Sequence, residues 1–231
     1  SPQDVNRPEY DLPGSGVSGA YWSRYSYPFG VMVNVEGHRF IDEGESWRGL
    51  TYAKIGRAIL SQPQGLAFQI FDAEQKRLDL IRGYEGATGF ISNTLEGLAR
   101  KIEIRDIRSF IGTIQKFNAA IQQGEFDPFR LDGKAALGIS PSKSNWALPV
   151  ASPPFEVYPV ACGMTFTYGG LKITPSAQVL HESGRVIPGL YAAGEMVGGL
   201  WYDNYPSGGG MMAGAVFGRI AGAQAAGYAV S

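Results

Sequence analysis

Residues 189–218 read GLYAAGEMVGGLWYDNYPSGGGMMAGAVFG, and the fold is decided there. A short apolar run, Leu190-Tyr191-Ala192-Ala193, has the length and character of a strand and stops at Gly194-Glu195. Gly198-Gly199 and the loop Asp203-Asn204-Tyr205-Pro206-Ser207-Gly208-Gly209-Gly210 follow, and a small-residue helix opens near Met211 and runs through Arg219. Glycines let main chain approach a flat or anionic group, and a helix N-terminus offers unpaired N–H donors at the positive end of its dipole. The same glycines suit a plain turn that packs helix on strand, so the motif alone leaves both readings open.

The rest of the chain sets limits around that stretch. Its 20 Lys+Arg against 21 Asp+Glu argue against a nucleic-acid surface and leave no polybasic membrane patch. No apolar run approaches bilayer length, and no signal-peptide pattern opens the sequence. The single cysteine, Cys162, rules out an internal disulfide framework and fits a reducing, cytoplasmic setting. It lies in the apolar run 157–164 and reads as a buried structural thiol.

Taken in order, residues 1–20 are polar, carry Pro and Gly, and read as a flexible lead-in. Tyr21, Trp22, Tyr25 and Tyr27 form an aromatic cluster that suits core packing or a substrate wall. Strands are expected at 31–35 and 38–41 around a Glu36-Gly37 turn, and His38 beside that turn reads as a solvated or capping residue. A helix is expected over 50–62, stopped by Pro63, then a strand at 66–71, a short charged helix over 73–82, a strand at Phe90-Ile91 and a helix capped by Thr94. Residues 106–123 give the clearest amphipathic helix, with Ile107, Phe110, Ile111, Ile114, Phe117 and Ile121 on one face. Short strands are expected at 157–161, 170–173, 178–181 and 186–193.

The segment Gly189-Leu190-Tyr191-Ala192-Ala193-Gly194-Glu195, with Gly198-Gly199 and Phe217-Gly218-Arg219-Ile220-Ala221-Gly222, resembles the C-terminal end of the fumarate reductase/succinate dehydrogenase flavoprotein superfamily. Tyr27-Pro28-Phe29-Gly30, Arg39-Phe40-Ile41-Asp42-Glu43-Gly44-Glu45, Thr51-Tyr52-Ala53-Lys54, Lys143-Ser144-Asn145-Trp146-Ala147 and Thr165-Phe166-Thr167 carry the likeness back through the chain and are similar to the tricarballylate dehydrogenase branch. The resemblance implies an α+β chain: a cap (substrate) domain of the fumarate reductase type at 21–147, then the C-terminal part of a Rossmann-like FAD-binding domain at 148–231. Nothing in residues 1–30 has the strand–Gly-x-Gly-x-x-Gly–helix form that binds the ADP half of FAD. The chain is therefore read as a C-terminal fragment whose partner is a missing N-terminal FAD-binding half. Alone it is expected to be catalytically silent, with FAD absent or weakly held.

The resemblance also implies a chemistry, hydride transfer between flavin N5 and a carbon near a carboxylate or carbonyl, with a proton moved from the neighbouring carbon. Two positions where fumarate-type enzymes carry substrate-clamping His and Arg align here with Phe166 and Tyr205. Asn204-Tyr205-Pro206 instead resembles tricarballylate and 3-ketosteroid dehydrogenases, which implies an oxyanion hole made by the Tyr205 hydroxyl and the Gly209 N–H. A loop tyrosine packing on the cap is the other reading of Tyr205. Arg48 stands near the family's proton-relay arginine, one residue late. It reads as an acid/base oriented by Glu43 or Glu45, as a carboxylate anchor, or as a surface ion pair. Lys143 and Asn145 read as hinge packing or as contacts to a further carboxylate. Gly194, Glu195, Gly209, Gly210 and Met211 are the implied FAD contacts. The implied activity is FAD-dependent oxidation of a tricarboxylate C–C bond to C=C, with an iron–sulfur protein as electron-transfer partner. The alternatives are a 3-ketosteroid-type dehydrogenase and a non-catalytic binding or assembly module.

Overall fold

The computed structural model describes residues 1–5, 23–164 and 166–230. The chain divides into two compact units, Ser1–Gly163 and Met164–Ser231.

In the first unit, β1 (Pro2–Asp4), β2 (Val31–Asn34), β3 (Leu66–Phe71), β4 (Phe90–Ser92) and β5 (Phe155–Cys162) form an antiparallel sheet in the order β1-β5-β3-β2, with β4 also on β5. β3 takes one edge of β5 from Ala161 to Glu156, while β4 and β1 share the other edge, reaching Val157 and Val160 respectively. Both faces are buried, and the period of two sorts the side chains. Val31, Val33, Phe68, Ile70, Phe155 and Val157 point to one face and pack against Leu98 of α3 (Leu95–Lys101) and Phe110, Ile114 and Phe117 of α4 (Ile107–Ala120). Met32, Ala67 and Val160 point the other way, onto Ile55 and Ile59 of α1 (Arg48–Leu60). Each large apolar side chain buried in this way contributes about 1.5–3 kcal/mol.

Caps fix the helix starts. The Asp106 carboxylate accepts the Ser109 N–H at 3.0 Å, and the Thr94 hydroxyl accepts the Gly97 N–H at 3.0 Å. Asp72 and Gln75 form a reciprocal capping box at α2 (Ala73–Arg77). Two helices are shorter than their sequence pattern. α2 stops at Arg77 because Asp79 takes a left-handed φ of 54°. α4 stops at Ala120 because Ile121 becomes extended and bridges Ala136. The hairpin turn at Glu36-Gly37 is present, with Gly37 at φ 81°, but its second arm makes only the Val33–Arg39 bridge.

The start of the chain corrects the expected lead-in. Pro2–Asp4 is a buried strand on β5, because its main chain completes the open edge of that strand. Residues 6–22, which include Tyr21, Trp22 and the rest of the expected lead-in, lie outside the described residues. Tyr27 is core. The first unit runs to Gly163, past the 147/148 division expected from composition, since β5 is the most heavily paired strand of its sheet. Cys162, at the end of β5, is half-buried rather than buried.

The second unit holds β6 (Gln178–Leu180) paired with β7 (Val186–Tyr191), and α5 (Gly209–Ala229). Val179, Ala192 and Val197 form its small core, with Ile173 and Ile187 against them. The expected strand at 170–173 is reduced to single bridges, Leu171 to Val197 and Ile173 to Val179. Among the described residues of α5, Gly210 alone is buried, although the helix is apolar along its length.

Candidate functional site

In the second unit the helix start, the aromatic loop and the glycine turns converge. Tyr205 is buried, and its ring stacks on Phe166 at 4.8 Å and meets Trp201 edge-on at 5.0 Å. Tyr168 lies on the same column, 6.2 Å from Tyr205, and desolvation raises its phenol above the ordinary tyrosine range. The Tyr205 hydroxyl oxygen accepts the Gly210 N–H at 2.6 Å. The Gly209 N–H donates instead to the Pro206 carbonyl at 3.0 Å. The Gly209 N–H, expected to point at a substrate oxygen beside the Tyr205 hydroxyl, is thus taken up by the loop turn, and the Gly210 N–H by the phenol itself. Gly210 has no room for a side chain. A Cβ there would lie 2.3 Å from the Phe166 ring and 2.7 Å from the Tyr205 hydroxyl.

Around this core lie the other expected cofactor contacts, Gly194, Glu195 and Met211, and a further glycine, Gly208. Gly194 (φ 81°) turns the chain off β7, and Gly208 (φ 82°) precedes α5; a Cβ at either would meet open space. The exposed Glu195 carboxylate accepts the Thr167 N–H at 2.8 Å, pinning the strand-end turn to the segment that carries Phe166. Met211 is 75% exposed in the first turn of α5. Open left-handed glycines beside a helix N-terminus fit the edge of a flat, electron-rich ring system such as the flavin of FAD.

Arg48 lies in the first unit, at the first position of α1, and is exposed. Neither glutamate expected to orient it does so. The Glu43 carboxylate is buried and held by Arg39 through two guanidinium nitrogens, Nε at 3.0 Å and Nη2 at 2.6 Å, and accepts the Met32 N–H at 2.8 Å. Glu45 pairs with Lys54. Among the described residues the Arg48 guanidinium has no carboxylate partner. It lines a cavity of about 300 Å³ in this unit, together with Phe29, Trp47, Arg82, Phe129 and Trp146.

Lys143 and Asn145 are both structural. Lys143 is fully buried, its ammonium donates to the Gly30 carbonyl at 2.5 Å, and burial lowers its pKa to about 8. Asn145 donates to the Gly44 carbonyl and accepts the Gly133 N–H, each at 2.8 Å. His38, expected as a solvated or capping residue, is exposed and meets the Ser109 hydroxyl at 2.7 Å. Trp146 was readable only as part of a motif. Its ring forms a wall of the cavity, and the signal for that lies in its spacing to Asp127 and Arg130, whose carbonyls both accept its indole N–H at 2.9 Å.

An FAD binding domain family, FAD_binding_2, matches residues 12–211. "Probable fumarate reductase Ifc3" of Shewanella frigidimarina (strain NCIMB 400) is 33% identical over 202 residues, which is 87% of this chain and 31% of that protein. Among solved structures, the open conformation of a flavocytochrome c3 fumarate reductase superposes with a TM-score of 0.63 at 31% identity, covering 90% of this chain and 34% of that one. The 3-ketosteroid-delta4-(5alpha)-dehydrogenase of Rhodococcus jostii RHA1, in complex with 4-androstene-3,17-dione, gives 0.64 at 27%, covering 87% and 39%. The chain therefore spans only about a third of the length of relatives such as the two fumarate reductases. With the family matched over most of its length, the chain belongs to the FAD binding domain family of flavoproteins.

Proposed function

We propose that this chain supplies the cap and the flavin-facing C-terminal end of an FAD-dependent oxidoreductase that makes or removes a C–C double bond beside a carboxylate or carbonyl. The observation that carries the reading is the buried Tyr205 hydroxyl, held by the Gly210 N–H at the first turn of α5 within a column of aromatic rings. When bound, FAD supplies the hydride acceptor or donor. The chain's own residues do the rest. The phenol, polarised by the N–H it accepts, donates its proton to the substrate oxygen as negative charge develops there. Phe166 and Trp201 exclude water from that oxygen and hold the phenol in place. Gly194, Glu195, Gly209, Gly210 and Met211, with Gly208 beside them, would hold the FAD. In the first unit, Arg48 is a carboxylate anchor rather than a base, since among the described residues no carboxylate pairs with it to support a deprotonated arginine.

The unit Ser1–Gly163 acts as the cap, and the remainder of the FAD domain is contributed by further polypeptide that covers the exposed apolar flank of α5. An iron–sulfur protein is the proposed electron-transfer partner, and the cytoplasm the proposed location. On the sequence resemblance the first acid to test is tricarballylate. A 3-ketosteroid is the second candidate, favoured by the aromatic column around Tyr205. The test is dye reduction by the protein made from its whole reading frame, offered polycarboxylates, simple carboxylates and 3-ketosteroids in turn. Turnover of any of them supports the reading. A flavin-loaded protein that reduces dye with none of them leaves a binding or assembly role.

A further inference from the structure

We propose that the cavity beside Arg48 holds the ring of a monocarboxylic acid, with the carboxylate on Arg48 and the ring against Trp47, which Trp146 backs. The substrate class is then a ring-bearing monocarboxylate, and neither a tricarboxylate nor a steroid. This inference rests on the acid-substrate reading above.

Charge comes first. The charged residues lining the cavity are Arg48, Arg82 and Asp79. Arg82 is already committed: it pairs with the Asp79 carboxylate at 2.7 Å and donates from Nε to the Asp79 carbonyl at 3.0 Å. Arg48 is left as the lining cation without a carboxylate partner among the described residues. One such cation matches one carboxylate. A tricarboxylate would bring further charges against aromatic rings, where an unpaired ion is strongly disfavoured.

The walls are the second observation. Trp146 packs against Trp47 at 5.2 Å and Phe29 at 5.8 Å and backs the wall, while Trp47, 39% exposed, offers the face open to a planar guest. Trp146 is 1% exposed and sits at a left-handed φ of 53°, a conformation that a bulky residue keeps only when its surroundings impose it. Its main-chain N–H donates to the Asp132 carboxylate at 2.9 Å, which adds to the two indole bonds already described. The wall is therefore rigid before any ligand arrives, and rigid walls lower the ordering cost of binding. Phe129, 84% exposed at the rim, can fold over a guest.

Size is the third. At about 300 Å³ the cavity is at the lower limit of small-molecule sites, roughly 300–1,000 Å³. It has room for a single ring with a short acid arm and is too small for a fused four-ring skeleton with its ends enclosed.

Trp47 and Trp146 make the site its own reporter. The chain is titrated with 3-phenylpropanoate, tricarballylate and the neutral 3-phenylpropanol while tryptophan emission is followed. The expected result is saturable quenching by 3-phenylpropanoate, at least about ten-fold tighter than by tricarballylate. Arg48→Ala weakens it about ten-fold, to the level of the alcohol, with melting temperature unchanged. Phe129→Ala, which removes a solvent-exposed ring and leaves the core intact, also weakens it. Tricarballylate binding as tightly as the ring acid, or Arg48→Ala leaving the Kd unchanged, overturns the proposal. A whole protein that carries no FAD would fail the oxidoreductase reading while 3-phenylpropanoate binding persisted. A flavin-loaded protein that oxidised tricarballylate and no ring acid would overturn the pocket assignment alone.

Discussion

Replacing Tyr205 with phenylalanine separates what this residue does for the fold from what it does for the reaction. The substitution keeps the ring, so the 4.8 Å stack on Phe166 and the contact with Trp201 survive. It removes the hydroxyl and leaves the N–H of the buried Gly210 without its acceptor. An unsatisfied buried amide costs about 1–3 kcal/mol, and that loss should appear in denaturant or thermal unfolding of the second unit. Tyr205→Ala should cost more, about 3–5 kcal/mol, because the ring is lost as well. The catalytic effect has another size and another readout. Loss of one oxyanion donor lowers kcat by about 10²–10³-fold, a change in transition-state energy of about 2.7–4 kcal/mol. Measured on the whole protein well below its melting temperature, Tyr205→Phe should hold its flavin, melt slightly earlier and turn over at least a hundred-fold more slowly, on the order set by that range. A Tyr205→Phe protein with wild-type kcat would refute the donor role and leave Tyr205 as a packing residue.

Other perturbations have equally definite outcomes. Gly210→Ala drives a methyl to within 2.3 Å of the Phe166 ring, so it should destabilise the second unit by about 1–3 kcal/mol in equilibrium unfolding and reduce flavin content in the whole protein. Glu43→Gln breaks the buried bidentate pair with Arg39 and strands a guanidinium, which should cost about 3–5 kcal/mol in the first unit with little dependence on salt, whereas Glu45→Gln, at a surface pair, should change stability by under about 1 kcal/mol. Burial holds the Lys143 pKa at about 8, below its ordinary 10.5, so the unfolded chain binds the extra proton between those values and stability contributed by this residue rises with pH across that window. Lys143→Met should lack this rise when unfolding free energies are compared from about pH 7 to pH 10, before the buried tyrosines Tyr27 and Tyr84, whose pKa values burial raises, begin to oppose it.

Much of the architecture is legible in the residue order because local signals agree with burial. The stripe through Phe110, Ile114 and Phe117, and the caps Asp106 and Thr94, fix two helices, and Leu66–Phe71 is apolar on both faces because helices cover both sides of its sheet. What could not be read is what tertiary contacts decide. Pro2–Asp4 looks like a polar tail and becomes a strand because β5, far away in the chain, has an open edge. Ile121 carries a helical pattern and leaves the helix to meet Ala136. In the candidate site the glycines stood out from the sequence and Tyr205 from the family resemblance, but that the Gly209 N–H would be taken by Pro206 and the Gly210 N–H by the phenol depended on one loop turn. Glu43 looked available to Arg48, and only the fold shows that Arg39 claims it. The aromatic cavity draws Phe29, Trp47, Phe129 and Trp146 from separate loops, so no local pattern announces it.

The flavin content of the protein made from its whole reading frame tests the central claim most directly. A yellow protein with stoichiometric FAD, whose flavin is lost or loosened by Gly194→Val and Gly208→Val while the 1–163 unit melts unchanged, is the predicted result. A colourless protein, or one whose FAD is untouched by both substitutions, would contradict it.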